Sequence, residues 1–541
     1  MKKIFTSIIL LLITAGIARS QSQYIPYSYD FYQKLNDDIY STSTREHTSI
    51  RPFFSDDSLI KPRFDSLMNV NDDGKQHSLL YNKLFNEHLI DLKGPNSTFY
   101  ADLLPDFTMG KNLAAGKEST TLDSYGLQFG GTVGKKFAYS FMGFENQGDF
   151  PEYINTYITQ TGIIPGENQA KIYGLDNYAW SYYTADVSYT PNKYLNITAG
   201  NDKTFVGDGY RSLFLSDYAS PYPFVKLTAT LGNVKYMVLW AYFNDPTDLD
   251  SLGNDRKKWG VFHYLDWNVS NRVSFGFFDS IIWYDRDNDG NYRGFDVTYL
   301  NPITFLRPLE ASNGSPDNAL IGWTAKWKIT NGITMYGQFV LDEFQSHQFF
   351  SDDGSYRNKY SYQLGIRGGH LFGVQGFSYL LETNNAKPYT YSERGQVENY
   401  AEEGEPLAHP WGGNFREVVG LLNYSYKRFD FSGEGDYGHY GLDIDGLNYG
   451  KNPFEDYTYP AKELNNYIGQ GLTTNMYYLQ GKVDYILNPK YNLRIELSAL
   501  YRDEKNVQYD DKTSLITIGI RSSFRAIYND ITSFQGRGNE Y

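Results

Sequence analysis

The feature that most constrains this fold is a two-residue alternation of apolar and polar side chains, which begins near Thr98 and continues almost to the end of the chain. Between positions 491 and 502, for example, Leu493 and Ile495 flank Arg494. This period places alternate side chains on opposite faces of a β-strand, and an apolar face suits a strand that contacts lipid. Roughly eighteen such runs start near Thr98, Leu122, Phe137, Tyr178, Tyr194, Tyr222, Val234, Lys258, Arg272, Asn318, Ile333, Tyr360, Gly376, Arg416, Phe429, Thr474, Tyr491 and Ile516.

The connections between these runs alternate in length. Tight turns are expected at 134–135, 191–193, 232–233, 268–271, 330–332, 368–373, 427–428 and 488–490. Between them lie mostly much longer connections, near 111–120, 148–177, 205–221, 244–257, 284–317, 343–358, 385–414, 436–472 and 502–513. Outer-membrane barrels have short periplasmic turns and long extracellular loops, whereas a globular sandwich has no reason for this order.

We therefore predict an all-β fold, a transmembrane antiparallel β-barrel of about 18 strands in the outer membrane. The 50 Tyr, 35 Phe and 50 Gly residues suit the aromatic girdles and curved strands of such a barrel. An even number of strands places both termini in the periplasm. Outer-membrane lipid is then the first expected partner.

The first twenty residues predict export. Lys2 and Lys3 precede a short apolar run at 4–15, and 18–20 fits a cleavage site, so 1–20 is interpreted as a signal peptide. No apolar run approaches the roughly 20 residues that a membrane helix needs. The absence of Cys excludes disulfides and thiolate metal sites. The formal net charge of −14, which becomes more negative without the signal peptide, argues against a nucleic-acid partner.

The rest of the chain divides into three predicted parts. A helical N-terminal segment at 21–96 precedes the barrel at 97–528, and 529–541 is expected to be a periplasmic C-terminal tail. Within the first part, 77–90 has apolar residues at helical spacing, including Leu80 and Leu84. We expect this helix to cover the periplasmic rim as part of a plug. The alternative is that it packs on itself or on a periplasmic partner and leaves the pore open.

The stretch from Trp283 to Trp323 is too long, and too rich in Asp, Asn, Gly and Pro, to be a simple turn. Loops of this size are usually functional or disordered. Its regularly spaced aromatic and branched residues argue against disorder. We interpret it as an ordered binding loop, with apolar surface to bury at Phe295, Val297, Tyr299, Ile303 and Phe305.

Carboxylates in this central loop follow the spacing of a calcium-binding loop. Asp285, Asp287 and Asp289 occupy alternate positions, Asn291 would offer its backbone carbonyl, and Asp296 would close the shell. The sequence departs from the usual pattern because Asp replaces Glu at the closing position and no convincing helix flanks the loop. A bound calcium ion, the one cofactor considered, and a solvated acidic turn are the two alternatives.

Aromatic residues recur beside Arg and carboxylates in the long connections. Sugar rings offer apolar faces for stacking and hydroxyls for fork-like hydrogen bonds, so this mixture suits a glycan. It equally suits loops that pack over the mouth of a barrel. The candidate glycan-binding residues are Tyr210, Arg211, Arg307, Glu310, His409, Trp411 and Arg416.

No pattern in the sequence identifies a catalytic residue. The G-x-S-x-G and H-E-x-x-H motifs are absent, and the G-x-G-x-x-G spacing at 433–438 falls on a barrel strand with no helix after it. We therefore expect a protein that is not an enzyme. A hydrolase assembled from separate loops would leave no signature in residue spacing.

Six stretches together resemble the Wzi-like capsule-assembly family of outer-membrane proteins, particularly the branch that includes the gliding-motility protein RemB. They are HTSIRPF at 47–53, LFNEHLI at 84–90, GNDKTFVGDGYRSLFLSD at 200–217, GFDVTYLNPITFLRP at 294–308, SPDNALIG at 315–322 and PLAHPWGGNFREV at 406–418. The resemblance implies a barrel closed on its periplasmic side by the N-terminal segment. It also implies a role in holding or organising capsular or exopolysaccharide at the cell surface.

Two further functions remain open from the sequence. The first is a porin-like or substrate-specific transporter, because a barrel of this strand number can enclose an aqueous channel. The second is an adhesion or gliding-motility component. The expected partners are surface polysaccharide and, in the last case, proteins of the polysaccharide or motility machinery.

Overall fold

The computed structural model describes residues 23–71, 73–114, 119–172, 177–249, 253–287, 289–302, 317–343 and 353–536. The predicted signal peptide at 1–20 lies outside these ranges. In the described part of the chain, no helix is both long and apolar enough to cross a membrane.

Eighteen antiparallel strands form a closed barrel, as predicted. They are β1 (Ser97–Asn112), β2 (Ser119–Val133), β3 (Phe137–Asp149), β4 (Asn177–Asn192), β5 (Leu195–Asp202), β6 (Tyr222–Leu231), β7 (Val234–Leu249), β8 (Asp255–Asn268), β9 (Val273–Tyr284), β10 (Asn318–Thr330), β11 (Ile333–Glu343), β12 (Lys359–Gly369), β13 (Phe377–Ala386), β14 (Phe415–Tyr426), β15 (Phe429–Leu442), β16 (Leu472–Asn488), β17 (Leu493–Lys505) and β18 (Asp510–Arg521). Each strand pairs with the next, and β18 pairs with β1 to close the barrel.

The two faces of the wall differ as the period of two requires. On β17, Ile495 and Leu497 point outward and are 41% and 49% exposed, whereas Arg502 points inward and is buried. Strands such as β14 carry inward carboxylates, including Glu417. The wall therefore has an apolar outer surface and a polar lining.

Short connections lie at one end of the barrel, here called the turn end, and long connections lie at the other, the loop end. Two predicted long connections are shorter than expected. Residues 502–513 form most of a hairpin with a tight turn at 506–509, because opposed charges such as Lys505 and Asp510 extend the ladder. Similarly, β7 continues to Leu249.

The N-terminal segment, residues 23–71, lies inside the barrel at the turn end. Its helices are α1 (Tyr29–Gln33), α2 (Asn36–Ile39) and α3 (Lys61–Met68). Apolar side chains including Tyr32 and Leu35 form a core of their own, which also contains Phe524 from the far end of the chain. A two-residue strand, Ile50–Arg51, pairs with Phe205–Val206 from the loop after β5.

The helix predicted at 77–90 is shorter and lies elsewhere than expected. Helix α4 (Leu79–Phe85) has no buried side chain, and Leu79 and Leu80 are 79% and 69% exposed. Asn488 in the β16–β17 turn donates hydrogen bonds to the backbone of α4, so the helix lies beside that turn. The prediction of an apolar face that covers the rim is wrong, because the exposed residues of α4 point away from the barrel.

Three long connections fold into the lumen from the loop end. The segment 203–221 descends to the N-terminal segment, and 387–414 packs beside it, with both contributing to the main core. Helix α5 (Glu152–Thr161) buries Tyr153, Tyr157 and their apolar neighbours in the barrel mouth. The remaining short strands are Ile90–Lys93, Ile163–Ile164, Asn168–Gln169, Lys171–Ile172, Ala401–Glu402 and Glu405–Pro406. The 3-10 helices are Val297–Leu300, Leu371–Gly373, Gln396–Glu398 and Pro489–Tyr491.

The chain after β18 corrects two predicted boundaries. The barrel ends at Arg521 rather than 528, and residues 522–536, here called the C-terminal strap, run through the lumen from the turn end to the loop end. Arg525 pairs with Asp106 inside the wall, and the amide of Gly536 donates to a loop-end carbonyl. Residues 529–536 therefore do not form a tail at the turn end. An alternating pattern cannot distinguish a wall strand from an extended segment with apolar partners inside.

The described part of the central loop, 285–287 and 289–302, packs mainly on the outside of the barrel. Tyr299 is buried against Trp283, with ring centroids 4.9 Å apart, and its carbonyl accepts a hydrogen bond from Trp240. Val297 is 75% exposed. This loop covers outward-facing residues of β7 to β10, namely Val238, Val261, Ile281, Trp283 and Ala319. Of the apolar residues that suggested a binding loop, Phe295 and Tyr299 thus attach it to the wall, Val297 does not, and Ile303 and Phe305 lie outside the described residues.

Candidate functional site

Arg211 is the centre of a buried ionic network in the lumen. Its Nη2 lies 2.9 Å from Glu417 on β14, 2.6 Å from Asp530 on the strap and 3.9 Å from Asp436 on β15. Burial alone would lower the pKa of Arg211, but the carboxylates of Asp530 and Glu417 hold it well above its ordinary value. The network joins two wall strands, one luminal loop and the C-terminal strap.

Tyr210 and the backbone of 210–211 extend this network. The Tyr210 ring packs 4.6 Å from the Arg211 guanidinium, and its hydroxyl donates to Asp530 at 3.0 Å. The amides of Tyr210 and Arg211 both donate to Glu382 on β13, each at 3.1 Å. These three donors of 210–211 therefore have charged acceptors, which satisfies the condition for burying them.

His409 and Trp411 join the same network from the luminal segment 387–414. His409 Nε2 lies 2.8 Å from Glu417, and the amide of Trp411 donates to His409 Nδ1. Because Nδ1 accepts, the proton is on Nε2 and the ring is neutral. Burial lowers the pKa of His409 to about 4, although Glu417 acts in the opposite direction. Trp411 Nε1 donates to the backbone carbonyl of Asp530 at 2.9 Å.

A second buried network surrounds Asp208 nearer the turn end. Its carboxylate accepts hydrogen bonds from Ser49 at 2.7 Å and Tyr40 at 2.9 Å, and also from Thr48. Lys326 on β10 lies 3.4 Å away. Burial alone would raise the pKa of Asp208, but Lys326 and these hydroxyls hold it well below its usual range. The network fixes the N-terminal segment to the luminal loop and to the wall.

The structure brings together four of the seven predicted glycan-binding residues, but it buries them. Tyr210 is half-buried, and Arg211, His409 and Trp411 are buried in the network. They therefore join two luminal segments and the C-terminal strap to the wall, and their contact with a glycan stays a prediction. Arg416 points outward, where it donates to Asn385. Arg307 and Glu310 lie outside the described residues.

An open groove lies above this network at the loop end. It encloses about 1570 Å³ and is walled by residues of five connections and by the end of the C-terminal strap. Acidic side chains outnumber basic ones along it. Its exposed side chains include Arg286, Arg394, Tyr459, Gln508 and Gln535.

Tyr459 is the aromatic side chain that lines this groove in the described part of the chain, and it is 78% exposed. Arg256 is held by Asp248 at 2.9 Å. Asp443 accepts hydrogen bonds from the amides of Tyr449 and Asn452, while burial raises its pKa to about 7. The groove thus offers one stacking surface beside charged and amide groups that are held in place.

The predicted calcium ligands are not assembled into one shell. Asp285 accepts from Trp259 at 2.8 Å, and Asp287 accepts from the amide and side chain of Asn291. Asp296 caps the 3-10 helix by accepting from Thr298. No group of three or more acidic or His side chains in the described ranges is arranged to hold a metal ion. The spacing instead forms a hydrogen-bonded turn, and Asp285 and Asp287 line the groove.

A second, smaller cavity of about 200 Å³ follows the inside of the wall beside the N-terminal segment. Charged groups line it, including Asp30 from that segment and Lys482 from β16, which lie 3.0 Å apart. Arg521 and Glu496 line it further along. It contains the polar lumen surface that the strap and the N-terminal segment leave uncovered.

Sequence reasoning missed the groove residues because they come from separate connections. Arg394, Tyr459 and Gln508 each stand in a polar loop with no distinguishing spacing. The only available signal was that each lies in a predicted long connection. Only the folded loops bring them to one cavity.

The chain is similar in fold to solved outer-membrane barrels. One is described as Wzi, an outer-membrane protein involved in group 1 capsule assembly in Escherichia coli and a carbohydrate-binding β-barrel. The two sequences are 14% identical, the match covers 91% of this chain and 98% of that chain, and the TM-score is 0.52. Another is Acinetobacter baumannii OccAB2, with 10% identity, coverage of 79% of this chain and 97% of that chain, and a TM-score of 0.43. A third is Pseudomonas aeruginosa OprD, with 9% identity, coverage of 78% of this chain and 94% of that chain, and a TM-score of 0.41. No protein-family model and no curated protein sequence matches the chain. At these identities the similarity shows the fold.

Proposed function

We propose that this chain is an outer-membrane barrel that holds surface polysaccharide in the loop-end groove, and that it is not an enzyme. The observation that carries the proposal is the groove itself, which is open at the loop end and is walled by five connections and the end of the C-terminal strap. The loop end then faces the cell exterior and the turn end faces the periplasm. The carbohydrate-binding description of the similar Wzi barrel supports the same function.

The chemistry of the groove fits a glycan. Tyr459 presents a ring for stacking on the apolar face of a sugar, and the exposed Arg394 can donate paired hydrogen bonds to hydroxyls. The lumen below is filled by the N-terminal segment, two loops and the strap, so a polymer can lie along the groove without entering the barrel. This arrangement supports retention rather than passage.

Binding of the purified protein to the cell's own capsular or exopolysaccharide tests the proposal. Tyr459→Ala should weaken binding roughly two- to tenfold, because an aromatic contact contributes about 0.5–1.5 kcal/mol. Tyr467→Ala is the matched control, since Tyr467 is 56% exposed in the same connection but does not line the groove. Equal affinities for the two variants would contradict this site, and no binding by the wild-type protein would contradict the function.

The same proposal predicts a cellular phenotype. Deleting the gene should release surface polysaccharide into the medium without stopping its synthesis, because retention and not production is lost. Cell-bound and free polysaccharide measured in both strains would show this. Unchanged cell-bound polysaccharide in the deletion strain would favour transport or motility.

Transport is the second candidate function, and the 200 Å³ polar cavity beside the N-terminal segment favours it. Under the retention proposal, the full chain in planar bilayers should be nearly silent, because the lumen is filled. A chain that lacks residues 23–71 but keeps the wall residues 90–93 should conduct. Large, steady conductance from the full chain would make transport the better proposal.

Membership of the RemB branch rests on the six stretches quoted above and would add a motility role.

A further inference from the structure

The wall of the barrel has a seam where its first and last strands meet. β18 pairs with β1 from Phe107 to Asn112, whereas β1 begins at Ser97, ten positions nearer the turn end. The short strand Ile90–Lys93 pairs with β1 there instead, opposite residues 98–101. An open strand edge within a membrane leaves backbone groups without partners, which is costly in hydrocarbon. Residues 90–93 therefore extend the wall along the turn-end part of the seam.

The residues just before this short strand reinforce the closure. The amide of Leu89 donates to the Asp102 carboxylate at 2.9 Å, and His88 Nδ1 lies 2.6 Å from the same group. The His88 ring stacks on Tyr100 at 4.4 Å. Residues 79–93, here called the seam segment, are thus fixed to β1 at one end and, through Asn488, to the β16–β17 turn at the other.

The outer face of the seam segment is apolar. Ile90 and Leu92 stand opposite Ala101 and Phe99, on the same face of the wall as Leu103, and they are 49% and 59% exposed. Helix α4, earlier in the same segment, carries further exposed leucines, Leu79, Leu80 and Leu84. The apolar surface of the seam segment is therefore continuous with the outward face of β1.

The same level of the barrel carries exposed apolar side chains at most other turns, among them Phe137, Leu231, Trp267 and Phe429. At the β16–β17 turn, however, Tyr491 is buried and packs against Leu104. Helix α4 lies at this turn, and its exposed leucines add apolar surface there. Aromatic and apolar rings at this level are where barrels meet the membrane interface.

We infer that the seam segment is inserted in the phospholipid leaflet at the turn end, where it seals and anchors the barrel seam. The lipid chains would cover Leu79, Leu80, Ile90 and Leu92. Lys93 is exposed beside Lys490 in the adjacent turn, and these cations suit the phosphate groups of lipid heads. The segment thus belongs to the membrane face of the protein rather than to its plug.

Single-cysteine labelling of the full chain in phospholipid nanodiscs tests the inference, and the absence of native Cys makes every label unique. A polarity-sensitive dye at Leu80→Cys should emit at shorter wavelength and be quenched mainly by a lipid-borne quencher. Val507→Cys is the matched control, an apolar side chain that is 94% exposed at the loop-end tip of the β17–β18 hairpin. Its dye should be quenched mainly by aqueous iodide.

A third position separates two causes of failure. Ile518→Cys lies on the outward face of β18 and should respond to the lipid-borne quencher. Lipid quenching at position 518 together with iodide quenching at position 80 would overturn the insertion of the seam segment. Iodide quenching at both positions would overturn the membrane placement of the barrel, on which the proposed function also depends.

Discussion

Replacing Asp530 by Ala should release the C-terminal strap from the lumen. The carboxylate lies 2.6 Å from Arg211 and accepts from the Tyr210 hydroxyl, and both ionic side chains are at most 4% exposed. Removing one partner of a buried ion pair costs about 3–5 kcal/mol. Arg211 keeps Glu417 at 2.9 Å, so we expect the lower value, about 3 kcal/mol, or roughly a hundredfold in the local opening equilibrium.

Hydrogen exchange of the strap measures this opening. The amide of Gly536 donates to Asp443 and the amide of Asp443 donates to Phe534, so both amides should exchange roughly a hundredfold faster in the variant. Thr532→Ala is the control, because Thr532 is buried in the same strap and its hydroxyl has no hydrogen-bond partner in the described part of the chain. Unchanged exchange in Asp530→Ala, or equal acceleration in Thr532→Ala, would refute the assignment of the ionic network as the attachment of the strap.

Two further predictions concern single side chains. Burial lowers the pKa of His409 from 6.5 to about 4. Between these pH values the unfolded chain binds the proton more readily than the folded chain does. The stability that the neutral ring contributes is therefore lost as pH falls from 6.5 to 4. The unfolding temperature of His409→Gln should therefore depend less on pH over this window than that of the wild-type protein. An identical dependence on pH in the two proteins would contradict a neutral His409 in the folded state. Asp287→Ala should speed proteolysis of the turn around Asp287 equally with calcium and with chelator, because the Asp287 carboxylate holds Asn291. Protection by calcium in the wild-type protein alone would instead support a calcium-binding loop.

The barrel wall could be predicted because its signals are local. Alternating side chains define each strand, and Gly, Asn and Pro define each turn, as at Gly134 and in the 489–491 turn. These residues act through their own backbone conformation and through neighbours in the next hairpin. Strand number and most strand starts therefore follow from sequence without knowledge of the lumen.

The candidate site could be predicted only in part. Arg211, His409 and Trp411 stood out as charged and aromatic residues in long connections, and the structure does gather them. Their burial was not visible in the sequence, because it depends on Asp530, which lies more than three hundred positions away from Arg211. The groove residues, such as Tyr459, gave even less signal, since an exposed loop residue has no local partner to restrict it.

The sequence by itself determined the wall, and only the tertiary structure decided what fills and covers it. The alternation after Arg521 fits either a strand in the wall or a strap in the lumen, and the apolar stripe of α4 fits either a plug or a lipid surface. The central loop likewise had apolar residues to bury but no indication of where. In each case the segment takes the surface that offers partners for its apolar and charged groups, and that surface is built by strands distant in sequence.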